Sequence, residues 1–171
     1  PSKIGLLTVP DLIDPSIIGN HDNFNLISCG GQTSIPISHT IAKNITDIDY
    51  LEVVSSISSK SAGPATRSNI DEYIETTELA LAFFTGLQRE NVKVILIVNP
   101  AVPEIDMQTS IYFTTKSIVN IKQVSKSIDK KVKNVNSYVP GYRLAFPLTK
   151  VGEKYILSIK VSGSGDYLPS Y

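Results

Sequence analysis

The sequence predicts an α+β domain (α/β mixed): a mixed, largely antiparallel sheet with its helices on one face. Three observations carry that expectation. Strand-like and helix-like runs interleave along the chain. Several connections between the strand-like runs are too short for the crossovers that parallel neighbours need. The last run, Tyr155 to Val161, alternates well enough to have one polar side.

Taken in order, Phe24 to Ser28 is a short, mostly apolar run read as a strand leading into Cys29-Gly30-Gly31. A helix is expected from Thr33 or Ser34, whose hydroxyl can cap the first amides, with Pro36 in its first turn and an end near Asn44. Ile37, Ile41 and Ala42 then face inward. Asp49 to Ser58 mixes β-branched and aromatic residues as a buried strand does. Ser68 or Asn69 can cap a helix whose first turn carries Asp71 and Glu72, acids suited to the positive end of the dipole. Ile70, Tyr73, Ile74, Thr77, Leu81 and Phe84 recur at helical spacing, which carries this helix to about Leu87. Val92 to Val98 is a continuous apolar strand stopped by Asn99-Pro100, and Ser110 to Thr114 is another. Ile118, Ile121, Val124, Ile128 and Val132 give a third amphipathic helix with Lys126, Lys130, Lys131 and Lys133 on its wet face. Arg143 to Leu148 and Tyr155 to Val161 close the chain as strands. The sheet face without helices needs a cover, and a second copy of the chain is the economical one.

With 171 residues, 42% of them hydrophobic, the chain can bury one core but hardly two, so 1–171 reads as a single domain. Sixteen basic and sixteen acidic side chains cancel, which removes the positive field that nucleic acid or an anionic membrane requires. Small molecules or proteins are the expected partners. A single cysteine builds no internal disulfide, and neither a targeting signal nor a long apolar run is present, which fits a cytoplasmic protein. The opening Pro1-Ser2-Lys3-Ile4-Gly5 and the closing Tyr167-Leu168-Pro169-Ser170-Tyr171 read as the ends of a piece excised from a longer protein.

Two stretches carry chemistry. A thiol between a strand and a helix sits near unpaired amides and the positive end of a dipole, which raises its thiolate fraction. Gly30 and Gly31 add backbone angles closed to other residues and unobstructed amides able to support an oxyanion. The same pattern also fits Cys29 as a small, inert, buried residue. The second stretch, residues 56 to 73, places Gly63 and Pro64 in a tight loop before a helix N-terminus, where anions and the polar edges of cofactors bind. Arg67 there can pair with a phosphate or carboxylate, although a plain strand-to-helix connection reads identically. Lys60 is a solvated side chain unless it reaches the loop. His21, in a polar loop, and His39, far along the first helix, are poor bases for the thiol, and one cysteine with two histidines lacks the ligand spacing of a metal site.

The blocks "SCGGQTSIP", "SSISSKSAGPATRSNIDEYIETT", "VNPA", "YVPGYRL" and "YLPSY" together resemble the acylating acetaldehyde dehydrogenases that partner 4-hydroxy-2-oxovalerate aldolase in aromatic hydrocarbon catabolism. The resemblance covers almost the whole chain, in the family's order. It implies a dimerisation and catalytic domain of the glyceraldehyde-3-phosphate dehydrogenase type. The family's NAD-binding Rossmann domain and its C-terminal return helix are not in this chain, so the piece alone is expected to be inactive. Cys29 is then the nucleophile that attacks the aldehyde and passes an acyl thioester to coenzyme A, with NAD taking the hydride and no metal involved. Ser61, Ala62, Gly63, Pro64, Ala65, Thr66, Arg67, Ser68 and Asn69 line the NAD site. Asn69, Ile70 and Val98 border the aldehyde passage from the aldolase, and a homodimer forms through the sheet face. Where the family has an aspartate that assists the thiol, this chain has Thr109, within Met107-Gln108-Thr109-Ser110, and Asp106 could substitute only if its loop is rearranged. That departure motivates a second reading, a weakened scaffold that dimerises and docks an aldolase; a third keeps the thioester chemistry but takes a semialdehyde, with Arg67 holding its distal carboxylate.

Overall fold

A computed structural model describes residues 4–163, so the block at 167–171 lies outside the described residues. The element order is β1 (Leu6–Leu7), α1 (Pro15–Ile18), β2 (Phe24–Asn25), α2 (Cys29–Asn44), β3 (Ile48–Ser58), α3 (Pro64–Ser68), α4 (Ile70–Thr85), β4 (Val92–Asn99), β5 (Met107–Thr115), α5 (Ile121–Asn136), β6 (Tyr142–Val151) and β7 (Lys154–Val161). Five strands form one sheet in the order β4-β3-β5-β7-β6. Within this sheet only β3 and β4 run parallel, and the chain between them holds α3 and α4, the crossover that a parallel pair requires. The remaining pairs are antiparallel. The expected mixed, mostly antiparallel sheet is what forms.

Alternation decides which side is covered. Leu51, Val53, Ile111, Phe113, Leu157 and Ile159 point inward and are buried against Ile35, Ile37 and Ile41 of α2, Leu81 of α4 and Val124 and Ile128 of α5. The opposite face keeps Ile95 (43% exposed), Ile97 (45%) and Phe146 (45%) open to solvent. The continuous apolar strand expected over Val92 to Val98 forms as β4, at the edge of the sheet with one uncovered face.

Several expected boundaries move for physical reasons. The strand expected over 24–28 stops at Asn25, because Ile27 turns into the left-handed region with φ 69°. Its partner is β1, in a separate two-stranded parallel sheet. α2 starts at Cys29 rather than Thr33, since Ser28 already caps the amide of Gly31. Pro36 thus sits inside the helix and not in its first turn, where it supplies no N–H to the ladder. α4 ends at Thr85, with Gly86 as a left-handed C-cap. The tight loop expected before α4 contains the short helix α3. Ile118 lies outside α5 and is fully exposed. Of the four lysines read as wet, Lys131 is mostly buried and paired with Asp11.

Candidate functional site at the start of the central helix

The site begins with a strained turn. Ile27 is β-branched and has positive φ, a conformation costing about 1–3 kcal/mol, and its amide is held by Asn25 Oδ1 at 2.8 Å. Gln32 Nε2 reaches back to the carbonyls of Thr8 and Leu26, each at 2.7 Å, and ties this turn to the N-terminal segment. The chain then enters α2 with Ser28 extended (φ −159°, ψ 163°) and its Oγ accepting from the Gly31 amide at 2.9 Å. Cys29 is therefore the first residue of a 16-residue helix, half-buried, at the positive end of its dipole. The helix begins four residues earlier than expected, which brings the thiol closer to that end.

The neighbouring helix brings the second component. Tyr73 of α4 places its Oη 3.8 Å from Cys29 Sγ, and the same oxygen accepts the Gly30 amide at 3.0 Å. Burial pushes the Tyr73 phenol well above its ordinary range, the charge of Cys29 and the hydrogen bond to it push in the same direction, and Ser28 and the Gly30 amide partly oppose them. The phenol keeps its proton at any working pH. Gly30 and Gly31 are ordinary helical residues, not positions that need unusual angles. Space explains them: a Cβ on Gly30 would lie 2.2 Å from Tyr73 Oη and 2.9 Å from Ser55 Oγ, and one on Gly31 would lie 2.7 Å from Ile27 Cγ2. Both amides expected to face an oxyanion already have partners, Tyr73 Oη and Ser28 Oγ.

Beneath the helix start lies a polar layer of the sheet. Thr109 is sealed at 0% exposure and its Oγ1 shares a 3.0 Å hydrogen bond with Ser55 Oγ. Thr33 Oγ1 donates to the Cys29 carbonyl at 2.9 Å, and Tyr142 Oη donates to the Thr33 carbonyl at 2.8 Å. Asp106 does not stand in for a carboxylate at Thr109. It is held by Lys160 at 3.0 Å, Ser162 at 2.9 Å and Arg143 at 3.4 Å, contacts that set its carboxyl below the usual range, the Lys160 bond most.

The second predicted stretch forms a rim near this centre. Ala62 is buried; Gly63 and Thr66 are half-buried; Ser61, Pro64, Arg67, Ser68 and Asn69 are exposed, and Ala65 belongs to α3. Arg67 is spent on its own loop, donating from Nε to the Ala62 carbonyl at 2.9 Å and from a terminal nitrogen to the Ser59 carbonyl. Ser68 Oγ donates to the Pro64 carbonyl. An open depression of about 430 Å³ lies at the start of α4, lined by Arg67, Asn69, Ile70 and the acids Asp71, Glu72 and Glu75. Tyr73 is one turn further along the same helix, its amide donating to the Asn69 carbonyl, so the rim and the thiol share a wall. Val98 is half-buried near the end of β4, opposite Ile57. Lys60 is exposed and pairs with Glu104 at 2.7 Å. Neither His21 nor His39 is brought to the thiol by any contact described, and no group of three or more potential metal ligands occurs among the described residues.

Sequence patterning placed Tyr73 in the core and did not connect it to Cys29. The signal was a tyrosine, with Thr77 one turn on, among the apolar residues of an inward helical stripe, together with a glycine whose missing side chain leaves room for a hydroxyl.

The family profile described as "Prokaryotic acetaldehyde dehydrogenase, dimerisation" matches residues 29–169. The chain is 48% identical over 172 residues to the acetaldehyde dehydrogenase of Pectobacterium atrosepticum, covering 100% of this chain and 57% of that protein. It is 45% identical to that of Spirochaeta aurantia, over 100% and 56% of the two chains, and 39% identical to acetaldehyde dehydrogenase 2 of Salinispora arenicola, over 99% and 56%. The chain thus spans little more than half the length of these curated relatives.

Proposed function

The chain belongs to the prokaryotic acetaldehyde dehydrogenase family, in its dimerisation domain, and from that premise we propose that it is the catalytic and dimerisation part of an NAD-dependent acylating acetaldehyde dehydrogenase. The whole protein converts acetaldehyde and coenzyme A to acetyl-CoA, in the cytoplasm, where a lone thiol stays reduced. The observation that carries the reading is Cys29 as the first residue of α2, half-buried, with a phenol 3.8 Å from its sulfur.

Cys29 Sγ attacks the aldehyde carbon, and the charge leaves sulfur for the aldehyde oxygen as the C–S bond forms. That oxygen develops its charge at the start of α2, where the dipole favours an anion. Loss of hydride from the same carbon leaves an acyl group on Cys29 as a thioester. The thiol of coenzyme A, its proton given up to solvent, then adds to the thioester carbonyl, and Cys29 departs as thiolate into the setting that held it at the outset.

The rim residues fit the nicotinamide end of NAD better than its pyrophosphate. Gly63 has open space where a Cβ would stand, so its backbone can be approached closely, whereas Asp71, Glu72 and Glu75 repel phosphate. NAD, when bound, supplies the hydride acceptor. Ser61 to Asn69 would hold it by backbone groups and small polar side chains, and Arg67 would keep the loop rigid through its bonds to Ala62 and Ser59. Asn69, the 38%-exposed Ile70 and Val98 would border the path by which an aldolase partner delivers aldehyde. Two copies would meet through the uncovered sheet face that bears Ile95, Ile97 and Phe146.

Full-length protein is expected to reduce NAD with acetaldehyde only when coenzyme A is present, and Cys29→Ser to lose that activity by at least about a thousandfold. Activity surviving that substitution would remove the nucleophile assignment. The scaffold alternative has one observation in its favour: Thr109 and Ser55, under the helix start, hold each other and carry no titratable group. A parent protein that dimerises and binds an aldolase but does not reduce NAD under any aldehyde would favour it.

A further inference from the structure

Tyr73 belongs to the packed face of α4, yet its hydroxyl is committed to the thiol's surroundings. The hydroxyl protons in this corner can be assigned one after another. The Tyr73 carbonyl can only accept, and Thr77 Oγ1 approaches it at 2.6 Å, which uses the single hydroxyl proton of Thr77. The 2.6 Å contact between Ser28 Oγ and Thr77 Oγ1 is then made by the proton of Ser28. Ser28 Oγ in turn accepts from the Gly31 amide. Tyr73 Oη accepts from the Gly30 amide at 3.0 Å and still has its own proton to place. The acceptor that faces it is Cys29 Sγ at 3.8 Å, and a sulfur that carries negative charge is a strong one.

We propose that Tyr73 is the hydrogen-bond donor that holds Cys29 as a thiolate, with the Gly30 N–H polarising the phenol oxygen and the bare Cα of Gly30 making the room for it. The inference rests on Cys29 being the reacting atom of the function proposed above. No proton is transferred: the phenol stays neutral, which its burial enforces, and its O–H turns toward whichever atom holds the charge. The amide behind the oxygen strengthens the donor, since hydrogen bonds in series polarise one another. The glycine is part of the same device. Any side chain at position 30 would collide with the hydroxyl at 2.2 Å, although alanine would serve the helix better.

The test is the pH dependence of Cys29 alkylation by iodoacetamide in the full-length parent protein, read on the Cys29 peptide by mass spectrometry. Tyr73→Phe keeps the ring and removes the donor. Its alkylation midpoint is expected to rise by about one pH unit, the tenfold that a single such bond represents, with the high-pH plateau retained. Placing 3-fluorotyrosine at position 73 leaves the packing intact, makes the phenol a stronger donor, and is expected to lower the midpoint. A midpoint unmoved by both, or a change confined to the plateau rate, overturns the proposal, because packing alone alters access and not the midpoint. The result is independent of turnover: an active Cys29→Ser protein would end the catalytic reading, while a shifted midpoint in Tyr73→Phe would still establish the contact.

Discussion

Two helices of equal length pack on the same sheet and are built in opposite ways. α2 and α5 are each sixteen residues long. α5 buries Val124, Ile128 and Val135 on one stripe, flanks it with partly buried residues such as Ile121, Lys131 and Val132, and gives its opposite face to solvent, the arrangement of a surface helix. α2 is buried along most of its length, including Gln32, Thr33, Ser34, Ser38 and Thr40. It contains two glycines and a proline, residues that cost a helix about 1 and about 3 kcal/mol each. Its hydroxyls turn back onto the helix: Thr33 donates to the Cys29 carbonyl, Ser34 to that of Gly30 and Thr40 to that of Pro36. A helix so poor in intrinsic propensity forms because tertiary packing pays for it, and small residues at its start let other groups approach its amides. The helix that is easy to form has no site. The one that is hard to form carries it.

Substitutions can press on that contrast. The largest effect on stability is expected in α5, where Ile128→Ala empties a position that is 1% exposed and costs about 3 kcal/mol by urea unfolding. Cys29 alkylation in the folded variant should stay at the parent rate, since α5 serves the site only as support. In α2 the order of consequences reverses. Gly30→Ala improves helix propensity yet drives a methyl into Tyr73 Oη, with an expected net loss of about 2 kcal/mol and a marked change in thiol reactivity. Equal alkylation behaviour in these two variants would mean that the start of α2 is no more specialised than the middle of α5.

The smallest effect is expected where the two helices meet. His39 of α2 is held below its ordinary value by burial first, then by Lys43 and by Lys131 of α5, with Asp11 opposing. The folded state therefore binds fewer protons than the unfolded chain between that lowered value and the ordinary histidine value of about 6.5. Its contribution is fully present above that range and is lost as pH falls through it. His39→Gln should flatten the acid side of the urea-midpoint profile, by less than either substitution above shifts the midpoint at neutral pH. An unchanged profile would indicate that this contact does not sense pH.

Periodicity made α4 and α5 legible, because one apolar stripe on a helix of ordinary composition leaves a clear trace. It made β3, β5, β6 and β7 legible to within a few residues for the same reason. The start of α2 was misplaced because glycine, serine and proline argue locally for a turn. The cap that overrides them depends on Ser28 being extended and on the turn at Ile27, and no propensity encodes either. Cys29 could be singled out from its neighbours in sequence. Tyr73 could not be joined to it, since forty-four residues separate the two and only the packing of α2 on α4 closes that distance.

The sequence by itself determined the alternation and helical spacing that produce a mixed sheet with one covered face, and it placed a thiol ahead of a helix. Those properties depend on residues near one another in the chain. The tertiary structure alone decided that Gly30 must lack a side chain, that Thr109 is sealed against Ser55, and that a phenol stands beside the sulfur. Each of these is a contact between elements distant in sequence, and the energy that enforces it comes from filling a common interior rather than from any local preference.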